Sequence, residues 1–129
     1  MHMKLLTMKD YRLLRASRGS YLVAMLANFL CELSVLSLGL ARYPPSMIAA
    51  TAVYASRRTC HLQQPWSPTL EASSGLTFND LQDCIELFNE FYGSLLIFGN
   101  QQTHLCELQV FQRYSHMLDG NIDLKKIIF

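Results

Sequence analysis

Phe29-Leu30-Cys31-Glu32-Leu33-Ser34, followed after a short gap by Tyr43-Pro44-Pro45-Ser46-Met47-Ile48-Ala49-Ala50, is the stretch on which the fold turns. The first half lies in a longer apolar run in which Leu22, Met25, Leu26, Phe29, Leu33 and Leu36 recur at intervals of three and four. That spacing predicts one helix with an apolar stripe over about Tyr21 to Leu38, capped by Ser20 and stopped by Gly39. Pro44 and Pro45 cannot sit inside a helix but suit its first turn, so a second helix is expected from there to about His61. Its composition is unusual. Ala49, Ala50, Ala52 and Ala55, with Ser46 and Thr51, leave it slim on several sides, while Met47, Ile48, Val53 and Tyr54 supply bulk. A helix slim on several faces lets neighbours approach closely, which suits the middle of a bundle and not its surface.

Working outward, the sequence predicts a short first helix over Lys9 to Ala16, with Ser17 to Ser20 as its exit. Ser67 before Pro68 reads as an N-cap followed by proline at the first helical position, opening one or two turns that end by Gly75. Thr77 caps the next helix, with Asp80 placed close to a capping box. That helix runs about Phe78 to Ile97, with Leu81, Cys84, Ile85, Phe88, Phe91, Tyr92 and Leu95 inward, and Gly99-Asn100 breaks it. A last helix is expected over Thr103 to His116, ending near Asp119-Gly120; the tail Ile127-Ile128-Phe129 is too short to classify. Strict alternation is almost absent. The chain therefore reads as all-α, a five-helix bundle with an extra C-terminal helix, and such bundles serve many functions.

The 129 residues fit one domain, half of them apolar and 16% charged, which describes a globular sequence. A net charge of +1 argues against a dedicated nucleic-acid binder. Charge is unevenly spread: residues 1–20 hold five basic side chains against Asp10 alone, a net +4, so the remainder carries −3. A basic segment on a mildly acidic body suits docking to another protein; a solvated helix face accounts for the same residues. Cys31, Cys60, Cys84 and Cys106 are widely spaced within apolar runs, as buried thiols of a reducing compartment would be. Met1 to Leu6 lacks the apolar core of a signal peptide. Tyr21 to Ala41 has the length of a membrane anchor, but Glu32 would then sit near the bilayer centre at a cost of about 2.5 kcal/mol or more. A buried helix of a soluble bundle, with no membrane contact, is the expectation.

Several local signatures together resemble the C-terminal half of cyclins, closest to the mitotic A and B types. Leu26-Ala27-Asn28-Phe29-Leu30-Cys31-Glu32-Leu33-Ser34 looks like that family's Leu-Ala-x-aromatic-Leu-x-Glu-Leu run. Tyr43-Pro44-Pro45-Ser46-Met47-Ile48-Ala49-Ala50-Thr51-Ala52 resembles its aromatic-x-Pro-Ser-x-Ile-Ala-Ala segment. Trp66-Ser67-Pro68-Thr69-Leu70 and Ser74-Gly75-Leu76 are similar to two further turns. Arg12-Leu13-Leu14-Arg15-Ala16-Ser17 looks like the stretch that opens this half, and Phe111-Gln112-Arg113-Tyr114-Ser115 is a weaker echo near its end. The resemblance covers about residues 11 to 118. It implies a basic linker and short first helix over 1–19, a C-terminal cyclin box over 20–118 and a tail over 119–129.

The resemblance implies a non-catalytic protein that binds a cyclin-dependent kinase and controls cell-cycle progression, in nucleus and cytoplasm, with no cofactor. No counterpart of the Met-Arg-Ala-Ile-Leu motif of the first box occurs, so a partial cyclin is expected, and no kinase contact carries over by motif. The alternative is a helical adaptor or competitor with a cyclin fold that binds no kinase. The face left by a missing box would invite self-association. Arg12, Arg15 and Arg18 are the candidate partner-binding residues. Glu32 reads as a buried, paired structural acid with Arg42, Arg57 and Arg58 as candidate partners, ahead of an acid catalyst or a metal ligand. Cys60-His61 and His104-x-Cys106 lack the spacing for a structural zinc or an oriented nucleophile and base. Trp66 and Tyr92 read as packing residues, and Ser67 as a cap ahead of a proline-directed phosphorylation site.

Overall fold

The computed structural model describes residues 21–98, 105–118 and 123–129. Among them are five α-helices: α1 Tyr21–Ser34, α2 Pro45–Thr59, α3 Pro68–Ser74, α4 Phe78–Phe98 and α5 Leu105–Leu118. Two short 3₁₀ turns, Leu40–Arg42 and Leu124–Lys126, complete the secondary structure, and no strand occurs among the described residues. The all-α expectation holds, with a long helix, a slim one, a short one, a long one and a last one in the expected order. The short helix expected over Lys9 to Ala16 and the breaks at Gly99-Asn100 and Asp119-Gly120 lie outside the described residues.

The slim helix is the middle of the molecule. In α2 every residue from Ile48 to Arg57 is buried, a run of nearly three turns with no solvent face. α1 packs against α2 and α5, and α4 packs against α2 from another direction. From α1, Val23, Leu26, Phe29, Leu30 and Leu33 are fully enclosed; from α4, Leu81, Cys84 and Phe88 are. Each such leucine or phenylalanine contributes about 1.5–3 kcal/mol relative to an exposed side chain. Phe29 joins the last helix to this core through rings: Phe111 lies 5.4 Å away edge-on and Tyr114 5.3 Å away.

Local chemistry sets the helix ends. Pro44 is extended at φ −61°, ψ 150°, and its carbonyl accepts from Met47 and Ile48, with Pro45 at the first helical position. Ser67 Oγ accepts from the Leu70 amide at 3.3 Å, and Gly75 takes the left-handed conformation at φ 77° that closes α3. Thr77 and Asp80 form a reciprocal box: the Thr77 amide donates to Asp80 Oδ2 at 2.8 Å and the Asp80 amide to Thr77 Oγ1 at 3.1 Å. Trp66 is a packing residue whose ring N–H donates to the Leu76 carbonyl at 2.9 Å.

One boundary differs from the sequence expectation. α1 ends at Ser34 and not at Leu38. The Leu36 and Ser37 amides turn back to Leu33 and Ser34, and the Ser37 hydroxyl accepts from the Leu40 amide at 3.1 Å. The Ser37 side chain thus takes over a bond that a continuing helix would make with its backbone. Gly39, expected as a left-handed stop, is right-handed at φ −65°. What glycine supplies here is room and not a special φ: a Cβ there would meet Leu87 Cδ2 of α4 at 3.1 Å. Leu36, expected in the apolar stripe, falls past the helix end and is exposed.

Two features of α2 are expected to respond to substitution. Its C-terminus is a Schellman motif, with the Leu62 amide on the Arg57 carbonyl and the His61 amide on that of Arg58. His61 occupies the left-handed position at φ 63°. His61→Gly is expected to raise unfolding free energy by about 1 kcal/mol, as relief of that strain outweighs glycine's greater freedom when unfolded. The buried Thr51 hydroxyl has no hydrogen-bond partner of ordinary geometry and lies against the Cys84 thiol. Thr51→Val is expected to stabilise by about 1 kcal/mol, because an unsatisfied polar atom is replaced by a methyl group. Urea unfolding followed by far-UV circular dichroism measures both.

Candidate functional site

A pocket of about 320 Å³ opens where α1 ends and α2 begins. Cys31, Ser34 and Val35 form one wall; Leu40 and Ala41 of the first 3₁₀ turn, with Tyr43, form the second; Pro45 and Ile48 close it. The early end of α1 creates it, because the chain leaves the helix at Ser34 and must return to place Leu40 in the core at 1% exposure. Its polar atoms are few. The Ser34 hydroxyl is committed to the Cys31 carbonyl at 2.6 Å. The Tyr43 phenol is pushed up from its ordinary range by burial, then by Cys84 and Asp83. Val35, one of its walls, is exposed, as are Leu36 and Leu38 in the same turn of chain, Leu38 at 90%. Such a concavity accepts an apolar side chain and offers nothing that would hold a charge.

Sequence reasoning misses this site because it keeps Leu36 and Leu38 in a continuing helix. The signal is present in Ser34, Ser37 and Gly39, residue types that favour turns over a continued helix. The arginines singled out from sequence, Arg12, Arg15 and Arg18, lie outside the described residues.

Glu32 is paired, as expected, but its partners are not those proposed from sequence. Arg113 and Tyr114 of α5 both donate to its carboxylate. Arg57 instead donates to the Gln64 and Pro65 carbonyls, and Arg58 to the Tyr54 hydroxyl and the Phe129 carbonyl. Arg42 is exposed. The guanidinium of Arg113 also lies 5.2 Å from the centre of the Tyr114 ring. Because the Arg113 side chain is half exposed at 50%, the ion pair itself adds at most about 1 kcal/mol. The carboxylate works as a clamp between α1 and α5.

No group of three or more His, Cys, Asp or Glu that could hold a metal occurs among the described residues. Cys60 is half-buried beside an exposed His61, and burial pushes the Cys60 thiol up, away from a reactive thiolate. Cys84 is likewise raised by burial, with Thr51 pulling the other way. His104 and the Cys106 side chain lie outside the described residues. No described helix is long and apolar enough to cross a membrane.

Comparison with known proteins gives a consistent picture. The family profile "Cyclin, C-terminal domain" matches residues 6–123. Cyclin-B2-2 of Arabidopsis thaliana is 38% identical over 73 residues, 57% of this chain and 17% of the relative. The G2/mitotic-specific cyclin S13-7 of Glycine max is 30% identical over 111 residues, 86% of this chain and 40% of the relative. G2/mitotic-specific cyclin-1 of Antirrhinum majus is 31% identical over 113 residues, 88% of this chain and 22% of the relative. The chain thus spans between 17% and 40% of the length of these relatives. No solved structure gives a significant match.

The site's titration behaviour is testable. Burial first, and the Glu32 hydrogen bond and charge second, push the Tyr114 hydroxyl far above the usual phenol range, against a smaller opposing effect of Arg113. Burial and then Asp123 do the same to Tyr92. Both folded phenols keep their protons at a pH where the unfolded chain, near 10, loses them. Their contribution is therefore complete below pH 10 and declines as pH rises above it toward the folded values. Urea unfolding between pH 8 and 11 should show stability falling above pH 10. Tyr114→Phe should flatten that fall while lowering stability at pH 8 through the lost bond to Glu32.

Proposed function

This chain belongs to the cyclin C-terminal domain family, and on that premise we propose that it is a non-catalytic regulatory module that docks on a cyclin-dependent protein kinase during the cell cycle. The observation that carries the reading is the match over residues 6–123 to this family, together with relatives named as mitotic cyclins. Two features support it. The core is fully enclosed around α2, so the module presents a fixed surface, and Val35, Leu36 and Leu38 put apolar side chains on that surface, Val35 of them lining the pocket. A rigid body of this kind biases a kinase's mobile elements by binding one of their arrangements more tightly than another, with no chemistry of its own.

The basic segment holding Arg12, Arg15 and Arg18 is the second proposed contact, where charge would steer encounter with an acidic partner surface. Nucleus and cytoplasm are the proposed compartments. A second reading is a non-kinase-binding helical adaptor, or a competitor, with a cyclin fold. Self-association through Val35, Leu36 and Leu38 is a further use of the same surface.

The test is a pull-down of the tagged chain from a lysate of dividing cells, with histone phosphorylation assayed on the beads. The expected result is retained kinase with weak activity. Leu38→Asp should lower retention about tenfold, the loss of one apolar anchor, while leaving the melting temperature unchanged because Leu38 packs against little. Retained but inactive kinase would establish the competitor. A folded bait that retains no kinase contradicts both kinase-binding readings.

A further inference from the structure

The family match ends at residue 123, yet the six residues after it are bound tightly to the framework. The Asp123 side chain accepts from the Lys125 amide at 3.0 Å and opens the second 3₁₀ turn. Leu124 is 4% exposed, and the Tyr92 hydroxyl donates to its carbonyl. Beyond the turn the chain is extended, with Ile127 at φ −72°, ψ 136°. Alternate side chains of an extended segment share a face. Accordingly Ile127 and Phe129 pack on the core while Ile128 between them is exposed. The Phe129 ring stacks on Phe88 at 5.2 Å and lies 5.7 Å from Tyr92. The backbone is held as well: the Ile128 amide donates to Thr59 Oγ1 at 2.9 Å, and Arg58 donates to the Phe129 carbonyl at 2.6 Å.

We propose that the cleft between the C-terminal end of α2 and the middle of α4 is a docking groove for an extended peptide carrying an aliphatic residue and, two positions later, an aromatic one, and that residues 124–129 occupy it in cis. The groove has the parts such recognition needs: an apolar seat for alternate side chains and fixed partners for the amide and carbonyl between and beyond them. Those partners all come from α2 and α4, inside the family match, whereas the occupant lies outside it. Arg58 is exposed and Thr59 half-buried, so the backbone contacts of Ile128 and Phe129 sit at the rim, where one segment can replace another, while Leu124 anchors the segment in the core. A tethered occupant acts at an effective concentration on the order of millimolar, so the tail keeps the groove closed to all but a tighter-binding or locally concentrated partner.

The test uses the 129-residue chain and a fluorescein-labelled heptapeptide of sequence DLKKIIF, read by anisotropy. The Phe129→Ala chain, with its own occupant loosened, is expected to bind the peptide at least about tenfold more tightly than the unaltered chain. Replacing the peptide's phenylalanine by alanine, or adding Arg58→Ala to the variant, should remove that gain. If Phe129→Ala does not melt in one cooperative transition, Phe129→Leu, which keeps apolar bulk, takes its place. Equal binding by variant and unaltered chain overturns the proposal, as does a gain that survives loss of the peptide's phenylalanine.

Discussion

The structure depends on one constraint, the complete burial of α2. A helix without a solvent face must be narrow, and the alanines from Ala49 to Ala55 make it so. Narrowness lets α1 and α4 approach from separate sides and puts Leu26, Leu30 and Leu33 of one and Leu81, Cys84 and Phe88 of the other within one core. Burial then dictates what happens at the helix ends. Arg57 is 8% exposed, and its guanidinium holds the Gln64 and Pro65 carbonyls of the loop leading to α3. At the opposite end the prolines start the helix without a side-chain cap. The two proposed binding surfaces sit at these ends: the apolar pocket at the N-terminal end of α2 and the seat of the tail at its C-terminal end.

This division of labour explains why the molecule reads as a binding module. Its polar groups are spent on architecture. Glu32 clamps α1 to α5, the Ser34 hydroxyl serves a helix end, and Tyr92 carries the tail. Two thiols, Cys60 and Cys84, are raised by burial, away from reactive thiolates. Outward it carries exposed charges such as Arg42, Glu71, Asp83 and Glu90 beside apolar side chains such as Val35 and Leu38. Membership of the cyclin C-terminal domain family fits this reading, since the relatives carry their match within much longer chains.

Much of the fold is legible in the sequence because local rules agree with the global packing. The Thr77–Asp80 box, the proline openings at Pro45 and Pro68 and the close of α3 at Gly75 all depend on residues within a few positions of each other. The slim composition of α2 also points to its central place. The features that sequence hides are long-range. Glu32 meets Arg113 and Tyr114 across the fold, and no local pattern distinguishes Arg113 from Arg57 or Arg58 as its partner. The end of α1 escapes a periodicity reading because an apolar period of three and four continues through Leu36 although Ser34 and Ser37 divert the backbone. The tail's seat is invisible for the same reason as the clamp: Phe129 reaches Arg58 and Phe88 only once the helices are packed.

Native-state hydrogen exchange across a urea series tests the central role of α2 most directly, because it reports the opening free energy of each amide separately. Amides from Ala52 to Ala55 should exchange only through global unfolding, with free energies that match the denaturation value and fall with the same dependence on urea. The Ile128 amide should exchange through a smaller opening that barely depends on urea. If the α2 amides instead exchange through local openings while α1 or α4 stays protected, α2 is not the element on which the rest depends.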